Sequence, residues 1–197
     1  MIENRFYYWG PLLLKTKVDN YKDILKKIKK EINYNKNLGS HIDETFYYDK
    51  DEFKKNVAKQ FQNYLNFYET YHATTISNKE YTVKTAWVNF MKAGEYNPPH
   101  IHDDDFSCVL YLKIPDLLKK ENSNYIGRDT AGPGGITFMY GEDRENCITE
   151  VPVKPEEGDM YIFPANLKHV VRPFKSKGTR ISLSANFKLK ESLKTFR

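Results

Sequence analysis

Three histidines in the second half of the chain have a spacing that suits metal ligands. His100 and His102 are separated by one residue, and His169 follows much later. Residues two apart on an extended strand point to the same face, so the first two imidazoles can aim at one point while a distant strand supplies the third. Such a set can occupy one face of an octahedral ion and leave positions open for a co-substrate and oxygen, as in non-haem iron sites. The other histidines, His41 and His72, have no partner at this spacing.

A carboxylate beside the histidine pair offers an alternative ligand. The run His102-Asp103-Asp104 places Asp104 on the same face as the histidines if the extended path continues. A facial triad needs only two of His100, His102 and Asp104 together with His169. Turn length favours the histidine pair, because it leaves three residues for a hairpin connection before the next strand. We therefore expect His100, His102 and His169 as the ligands, with Asp104 as the rival ligand.

A second set of polar residues follows the last histidine. The run Gly158-Asp159-Met160-Tyr161-Ile162-Phe163-Pro164 precedes His169, and Arg180-Ile181-Ser182 comes after it. If the second run is a strand, Arg180 and Ser182 share a face. An arginine offers a rigid fork of donors to a carboxylate, and a serine hydroxyl adds another hydrogen bond. The pair suits the distal carboxylate of a dicarboxylic acid held deep in a barrel; the competing interpretation is a surface arginine on an edge strand.

The elements that must position these residues change in character along the chain. Residues 19–33 and 50–71 carry apolar residues at helical spacing and predict two helices. From about residue 80, β-branched and aromatic residues predict strands at 81–92, 106–114, 135–140, 159–163, 169–172 and 180–189. Short strands with turns between them indicate a β-sandwich or barrel with the helices packed outside. We expect one domain over 1–197, with a helical N-terminal support over 1–78 and a β core over 79–190.

Composition and charge argue against several classes of partner. The net charge is +5, and much of it falls on lysines of the first predicted helix, where it indicates a solvated face. A nucleic-acid partner is not expected, because basic residues are neither interleaved with aromatics nor clustered along a groove. No apolar run reaches a membrane span, and the N-terminal residues lack an apolar secretory segment. We expect Cys108 and Cys147 to be reduced thiols in a cytoplasmic protein, with a bridge between them and a homo-oligomer left open.

Five short motifs occur in one order between residues 80 and 190. They are Gly94-Glu95-Tyr96-Asn97-Pro98-Pro99-His100-Ile101-His102, Val109-Leu110-Tyr111-Leu112, Gly134-Gly135-Ile136-Thr137-Phe138, the Gly158 to Pro164 run and Arg180-Ile181-Ser182. Together they resemble the 2-oxoglutarate and iron(II)-dependent oxygenase superfamily, most closely its prolyl 4-hydroxylase-type branch in bacteria and phages. That branch carries Gly-Gln-X-Tyr-X-Pro-His-X-Asp, a strand ending in Tyr-Leu, Gly-Gly-X-Thr-X-Phe, a Gly-Asp run ending in Phe-Pro, and, in many members, Arg-X-Ser.

This resemblance implies both a fold and an activity. The fold would be mainly β, a double-stranded β-helix (jelly roll) with flanking N-terminal α-helices. The activity would be that of a dioxygenase that uses Fe(II), 2-oxoglutarate and O2, and that hydroxylates a substrate which the sequence does not reveal, releasing succinate and CO2. By the same resemblance, Arg180, Ser182 and Tyr111 would bind 2-oxoglutarate, and Tyr96 and Asn186 would line the pocket.

One departure from the family pattern bears on the ligand set. The family has His-X-Asp or His-X-Glu as its first two ligands, whereas His102 falls at the carboxylate position when the glycine spacing guides the alignment. This spacing, with which turn length agrees, favours His100 with His102 over the pair of His102 and Asp104. An all-nitrogen ligand set raises the alternative of a jelly-roll protein that binds a metal or ligand without catalysis. The run from His100 through His102 to Asp104 also begins the zinc motif His-X-His-X-Asp-His of metallo-hydrolases, but Asp105 stands at the final position.

Overall fold

The structure, a computed structural model, describes residues 10–34, 39–76, 79–127, 130–142 and 144–190. Antiparallel strands dominate it, with three helices among the described residues. The elements in chain order are β1 (Leu14–Lys17), α1 (Tyr21–Lys26), β2 (Thr45–Tyr47), α2 (Lys50–His72), β3 (Tyr81–Met91), β4 (Asn97–His100), β5 (Phe106–Lys113), α3 (Asp116–Ser123), β6 (Ile136–Met139), β7 (Glu150–Val153), β8 (Asp159–Pro164), β9 (Lys168–Val171) and β10 (Arg180–Leu189).

The described strands form a six-stranded and a four-stranded sheet. The larger sheet has the order β1-β8-β5-β10-β3-β2, and the smaller has the order β4-β9-β6-β7. The chain passes repeatedly from one sheet to the other, which is the double-stranded β-helix arrangement. Side chains from both sheets meet in one apolar cluster, with Tyr111 and Phe163 from the larger sheet and Phe138 and Val171 from the smaller. The predicted mainly β jelly roll is therefore confirmed.

Helix α2 covers the other face of the larger sheet. Asp49 caps its first turn by accepting a hydrogen bond from the Glu52 amide at 2.7 Å, and Ala73 ends it in the left-handed conformation. Phe61 of this helix stacks on Phe187 of β10, with 3.8 Å between ring centroids. The buried stripe of α2 consists of Phe53, Val57, Phe61, Tyr64 and Leu65. The helix predicted at 50–71 is thus confirmed, and no described helix is long and apolar enough to cross a bilayer.

The N-terminal region contains strands as well as helices. The helix predicted at 19–33 is limited to α1, because the chain after it pairs with β2. The Tyr34 amide donates to the Thr45 carbonyl at 2.8 Å, and the Tyr47 amide donates to the Ile32 carbonyl at 2.9 Å. Strands β1 and β2 form the two edges of the larger sheet, so the region expected as a helical support over 1–78 also contributes strands. Residues 1–9, 35–38, 77 and 78 of this region lie outside the described residues.

All six strands predicted beyond residue 80 occur, with small changes at their ends. The sequence pattern did not indicate β4, β7 or α3. Strand β4 contains Pro98 and Pro99, and β7 contains Pro152; proline cannot donate to a sheet ladder and argues against a central strand. Both strands lie at an edge of the smaller sheet, where proline is tolerated. Edge position therefore explains why two true strands lack a strand-like sequence.

The stacking of Phe61 on Phe187 holds α2 against the larger sheet, so truncation of Phe61 should destabilise the protein. Phe61→Ala removes a fully buried ring that also meets Tyr81 edge-on, at 4.5 Å between centroids. We expect the free energy of unfolding to fall by about 3–5 kcal/mol, because the lost ring leaves a cavity under α2. Urea denaturation measures this change. Phe67→Ala, on the exposed side of the same helix, should change it by about 0.5 kcal/mol or less; equal losses would contradict this packing.

Candidate functional site

Pairing between β4 and β9 brings two of the histidines opposite each other. His100 and His169 are Cα partners in this antiparallel pair. His102 lies just beyond the end of β4, and its amide donates to the Ala165 carbonyl at 2.8 Å. Ring centroids are 4.2 Å apart for His100 and His169, 5.1 Å for His100 and His102, and 5.2 Å for His102 and His169. Since one ligand atom of each imidazole lies within 4.8 Å of the others, the rings could hold one metal ion.

Backbone carbonyls orient two of these rings and select their tautomers. His100 Nδ1 lies 2.7 Å from the Pro98 carbonyl oxygen, and His169 Nδ1 lies 2.9 Å from that of Leu167. A carbonyl oxygen only accepts, so each Nδ1 carries the proton and each Nε2 keeps its lone pair. Both Nε2 atoms are therefore suited to a metal, on rings that the carbonyls hold in place. In this structure the Asn97 amide contacts His100 Nε2 at 3.2 Å.

Burial favours the neutral form of all three imidazoles, which is the form that binds metals. It lowers the pKa of His100, lowers the pKa of His102 to about 4 and lowers that of His169 to about 3. Proximity to His100 adds a smaller lowering to the pKa of the other two. Near neutral pH, a metal therefore displaces no proton from these rings when it binds.

Asp104 lies outside the histidine cluster. The described ligand atoms that lie within 4.8 Å of one another belong to the three histidines, with no carboxylate among them. Partial burial raises the pKa of Asp104, which is subject to the opposing charges of Lys84 and Lys188. The segment that holds it joins β4 and β5, and these strands belong to different sheets, so it is not the hairpin connection that we expected. Turn length therefore does not discriminate between the two ligand sets, which differ in the positions of their side chains.

Arg180 is a buried cation, and none of the described carboxylates pairs with it. Only 2% of its surface is exposed. Its Nη1 donates to the Gly134 carbonyl at 2.5 Å, while its Nε is buried without a hydrogen-bond partner. Gly134 has a φ of +66°, and a Cβ there would lie 3.0 Å from Leu118 Cδ2, so the turn that presents this carbonyl requires glycine. Burial lowers the pKa of Arg180, but a guanidinium remains charged in a protein, and an anion beside it would be stabilising.

Polar groups surround Arg180 between the sheets. Its Cζ lies 5.3 Å from the ring centre of Tyr111, whose buried hydroxyl lacks a partner with hydrogen-bond geometry. Burial raises the pKa of Tyr111, so its hydroxyl is a neutral donor. Ser182 is the cross-strand partner of Tyr111 on β5 and of Asn89 on β3. The structure thus brings Arg180, Ser182 and Tyr111 together, in one cavity that the three histidines also line.

Sequence reasoning missed several residues that line this cavity. They are Trp87, Asn89, Ser107 and Ser184. A signal for one of them was present, because polar residues recur at every second position of β10. These are Arg180, Ser182, Ser184 and Asn186. Alternation of this kind marks one polar face on a strand whose other face is apolar, and it identifies Ser184. Ser107 and the β3 residues carry no comparable signal, because β5 and β3 are otherwise largely apolar.

The remaining predicted pocket residues and histidines lie elsewhere. Asn186 lines a second, outer cleft beside the histidine cluster and accepts a hydrogen bond from Ser107 Oγ at 2.9 Å. Tyr96 stacks on His41, with 4.5 Å between ring centroids, and does not line the inner cavity. His72 packs against aromatic neighbours at the end of α2. His41 and His72 thus contact aromatic rings away from the histidine cluster.

Comparisons with solved structures agree with this fold. A Pseudomonas putida prolyl-4-hydroxylase aligns with a TM-score of 0.57 at 16% identity, over 91% of this chain and 93% of that chain. A viral collagen prolyl hydroxylase from Paramecium bursaria Chlorella virus-1 aligns with a TM-score of 0.54 at 19% identity, over 91% and 96%. HygX from Streptomyces hygroscopicus, with nickel and 2-oxoglutarate bound, aligns with a TM-score of 0.53 at 11% identity, over 90% and 83%.

The family assignment comes from the sequence comparison. A comparison with curated proteins found no match. Residues 85–186 match a family model described as "Putative 2OG-Fe(II) oxygenase". The matched segment is just over half of the chain and contains the histidine cluster, Arg180 and Ser182. The chain therefore belongs to the 2OG-Fe(II) oxygenase family, whose cofactors are iron and 2-oxoglutarate.

Proposed function

We propose that the protein hydroxylates a C–H bond of its substrate, using Fe(II) held by His100, His102 and His169. The net reaction converts the substrate, O2 and 2-oxoglutarate into hydroxylated substrate, succinate and CO2. One observation carries this proposal: the buried, unpaired guanidinium of Arg180 shares a cavity with the three histidines. A purely structural role would leave that charge uncompensated, whereas a dicarboxylic acid beside the histidines would neutralise it.

The three imidazoles suit a divalent transition metal. They are favoured in the neutral form, their ligand atoms lie within 4.8 Å of one another, and two of the rings are oriented by carbonyls. Bound iron supplies the one-electron chemistry that activates oxygen for C–H oxidation. The three imidazole nitrogens lie at one part of the cavity, and the rest of the cavity is available to the co-substrate.

Arg180, Ser182 and Tyr111 suit the distal carboxylate of 2-oxoglutarate. The Arg180 Nε and the Tyr111 hydroxyl are buried donors that lack partners in the described structure. A carboxylate accepts from both, and the Ser182 hydroxyl on the same strand face adds a third donor. If one end of the acid were held there, its 2-oxo acid end would lie toward the histidines that line the same cavity.

Two other functions fit parts of the site. An all-imidazole set would also suit a jelly-roll protein that binds a metal or ligand without catalysis, and a zinc metallo-hydrolase would use the pair of His100 and His102. The family match and the anion-binding character of Arg180 favour the oxygenase over the hydrolase. Formation of succinate distinguishes the oxygenase from a non-catalytic protein.

We also propose a bacterial or phage-encoded protein that acts in the cytoplasm. The support is that Cys108 and Cys147 are both free, one buried and one exposed, as in a reducing compartment. The modest net charge of +5 gives no reason to propose a nucleic-acid partner. A homo-oligomer is compatible with the fold. Measuring the mass of the protein in solution determines its oligomeric state.

Truncation of Arg180 should separate co-substrate binding from metal binding. Wild-type protein should bind one Fe(II) and slowly convert 2-oxoglutarate to succinate without a substrate. Arg180→Ala should weaken 2-oxoglutarate roughly ten- to a hundred-fold, the equivalent of about 1.5–3 kcal/mol for charge-assisted hydrogen bonds, and should retain iron. Arg180→Lys should recover only part of the affinity, because an ammonium cannot form the fork.

Calorimetric titration of the anaerobic, iron-loaded protein measures these affinities, after circular dichroism has shown that each variant is folded. Arg144→Ala is the matched control, since it removes an exposed arginine that is paired with Glu142. Unchanged 2-oxoglutarate affinity in Arg180→Ala would place the co-substrate on other residues. Absence of both iron binding and succinate in the wild-type protein would reject the oxygenase.

Iron stoichiometry separates the two ligand sets. We expect His100→Ala to abolish iron binding, because it removes one of three donors. Asp104→Ala should keep iron, with at most a roughly ten- to a hundred-fold loss of affinity through neighbouring interactions. His41→Ala removes a histidine outside the cluster and should bind iron normally. Full iron occupancy in folded His100→Ala, with loss in Asp104→Ala, would replace the histidine set with the His-X-Asp set of the family.

A further inference from the structure

A second cavity opens directly onto the histidine cluster. His100, His102, Trp87 and Asn97 line both this outer cleft and the inner cavity that contains Arg180. The outer cleft has a volume of about 370 Å³, which is enough for a small metabolite or part of a peptide. With 2-oxoglutarate in the inner cavity, the outer cleft is the space in which a substrate can meet the histidine cluster.

The outer cleft is acidic, although the chain is basic. Asp103 and Asp104 line it, and none of its described lining residues is a lysine or arginine. The whole chain has 31 lysines and arginines against 26 aspartates and glutamates. Its net charge is therefore positive, whereas the charged residues that line the cleft are negative. A concave surface with one sign of charge attracts ligands of the opposite sign.

The carboxylates of Asp103 and Asp104 are not used in ion pairs that hold the described fold together. Neither forms an ion pair with a described residue, in contrast to Asp105, which pairs with Lys188 at 2.8 Å and accepts from the Leu189 amide at 2.8 Å. Lys84 and Lys188 act on Asp104 through space, but neither lines the cleft. Asp103 is exposed, whereas Asp104 is partly buried without a direct partner, which is unfavourable, and a bound cation would relieve that cost.

Aromatic rings add a second feature that suits a cation. Tyr34 and Trp87 both line the cleft, with 5.6 Å between their ring centroids and 31° between their planes. Tyr47 meets Tyr34 edge-on at 4.3 Å and so supports this wall. The faces of such rings attract ammonium and guanidinium groups, most strongly where water is partly excluded. Carboxylates and aromatic faces in one cleft are thus complementary to the same kind of group.

We propose that the primary substrate carries a positively charged amine or guanidinium group, which binds between Asp103, Asp104 and the Tyr34–Trp87 wall. This inference rests on the proposed function and specifies its substrate class. One oxygen atom of O2 becomes the hydroxyl group on the substrate carbon, and the other enters succinate as 2-oxoglutarate loses CO2. Phosphorylated substrates and nucleotides are disfavoured, because the carboxylates repel their charge.

Probes of similar size that differ in side-chain charge test this inference, each with its α-amine acetylated and its carboxyl amidated. Nα-acetyl-arginine amide and Nα-acetyl-lysine amide are the cationic probes, Nα-acetyl-citrulline amide and Nα,Nε-diacetyl-lysine amide are their uncharged counterparts, and Nα-acetyl-glutamate amide is the anionic probe. Binding is titrated to anaerobic protein loaded with iron and 2-oxoglutarate, so that turnover does not interfere. We expect each cationic probe to bind about ten-fold or more tightly than its uncharged counterpart, as charge-assisted hydrogen bonds predict.

Variants that remove one negative charge each show which residues cause the preference for cationic probes. Asp103→Asn and Asp104→Asn should each reduce the preference for the cationic probe several-fold, and the double variant should abolish it. Asp116→Asn, which removes an equal charge from the exposed start of α3, should leave the preference unchanged. Preference for neutral or anionic probes, or no effect of the cleft variants, would overturn the inference.

Measuring the bound iron and 2-oxoglutarate distinguishes a failure of this inference from a failure of the proposed function. Failure of every cationic probe to bind to protein that holds both cofactors would overturn the substrate class and leave the oxygenase intact. Loss of iron in Asp104→Asn would also overturn it, because a carboxylate that binds the metal is not available to a substrate cation. If wild-type protein binds neither cofactor, the proposed function itself fails.

Discussion

An unpaired positive charge buried between the two sheets is the constraint on which the site depends. The Arg180 guanidinium keeps its charge, is nearly inaccessible to solvent and has one carbonyl partner, that of Gly134. Such a charge destabilises a fold unless an anion lies beside it, so the inner cavity suits an anionic ligand. The hydroxyls of Tyr111 and Ser182 lie on the adjacent polar surface of β5 and β10, and they too suit a polar ligand in the cavity.

A polar inner surface is possible because the other face of the larger sheet provides the stability. The stripe of α2 and the apolar residues of β3, β5 and β10 form a dense aromatic cluster, in which Phe61 stacks on Phe187. Strand β10 therefore carries two different surfaces. Its apolar positions pack under the helix, and its alternate polar positions face the cavity. A single strand thus links the stability of the core to the proposed recognition of the co-substrate.

The sequence was sufficient for features that depend on local pattern. Strand β10 was predicted with its observed ends, and Arg180 and Ser182 were placed on one face by alternation alone. Features that depend on pairing between distant segments were not accessible. The helix expected at 19–33 is shortened because residues near Tyr34 pair with β2, and that pairing also brings Tyr34 into the outer cleft. Similarly, the meeting of His100 with His169 requires β4 to pair with β9.

The proposed all-histidine set and the acidic cleft are related through the balance of charge at the site. Three neutral imidazoles bring no negative charge to a divalent metal, whereas a His-X-Asp set brings one. The dianionic co-substrate can balance the metal, but Arg180 then leaves the centre with excess positive charge. Asp103 and Asp104 supply negative charge just outside the proposed ligand set, in a cleft that shares its wall with the histidines. With the proposed ligand set, a carboxylate that stands on the substrate side instead of at the metal would act on the choice of substrate as well as on the charge of the site.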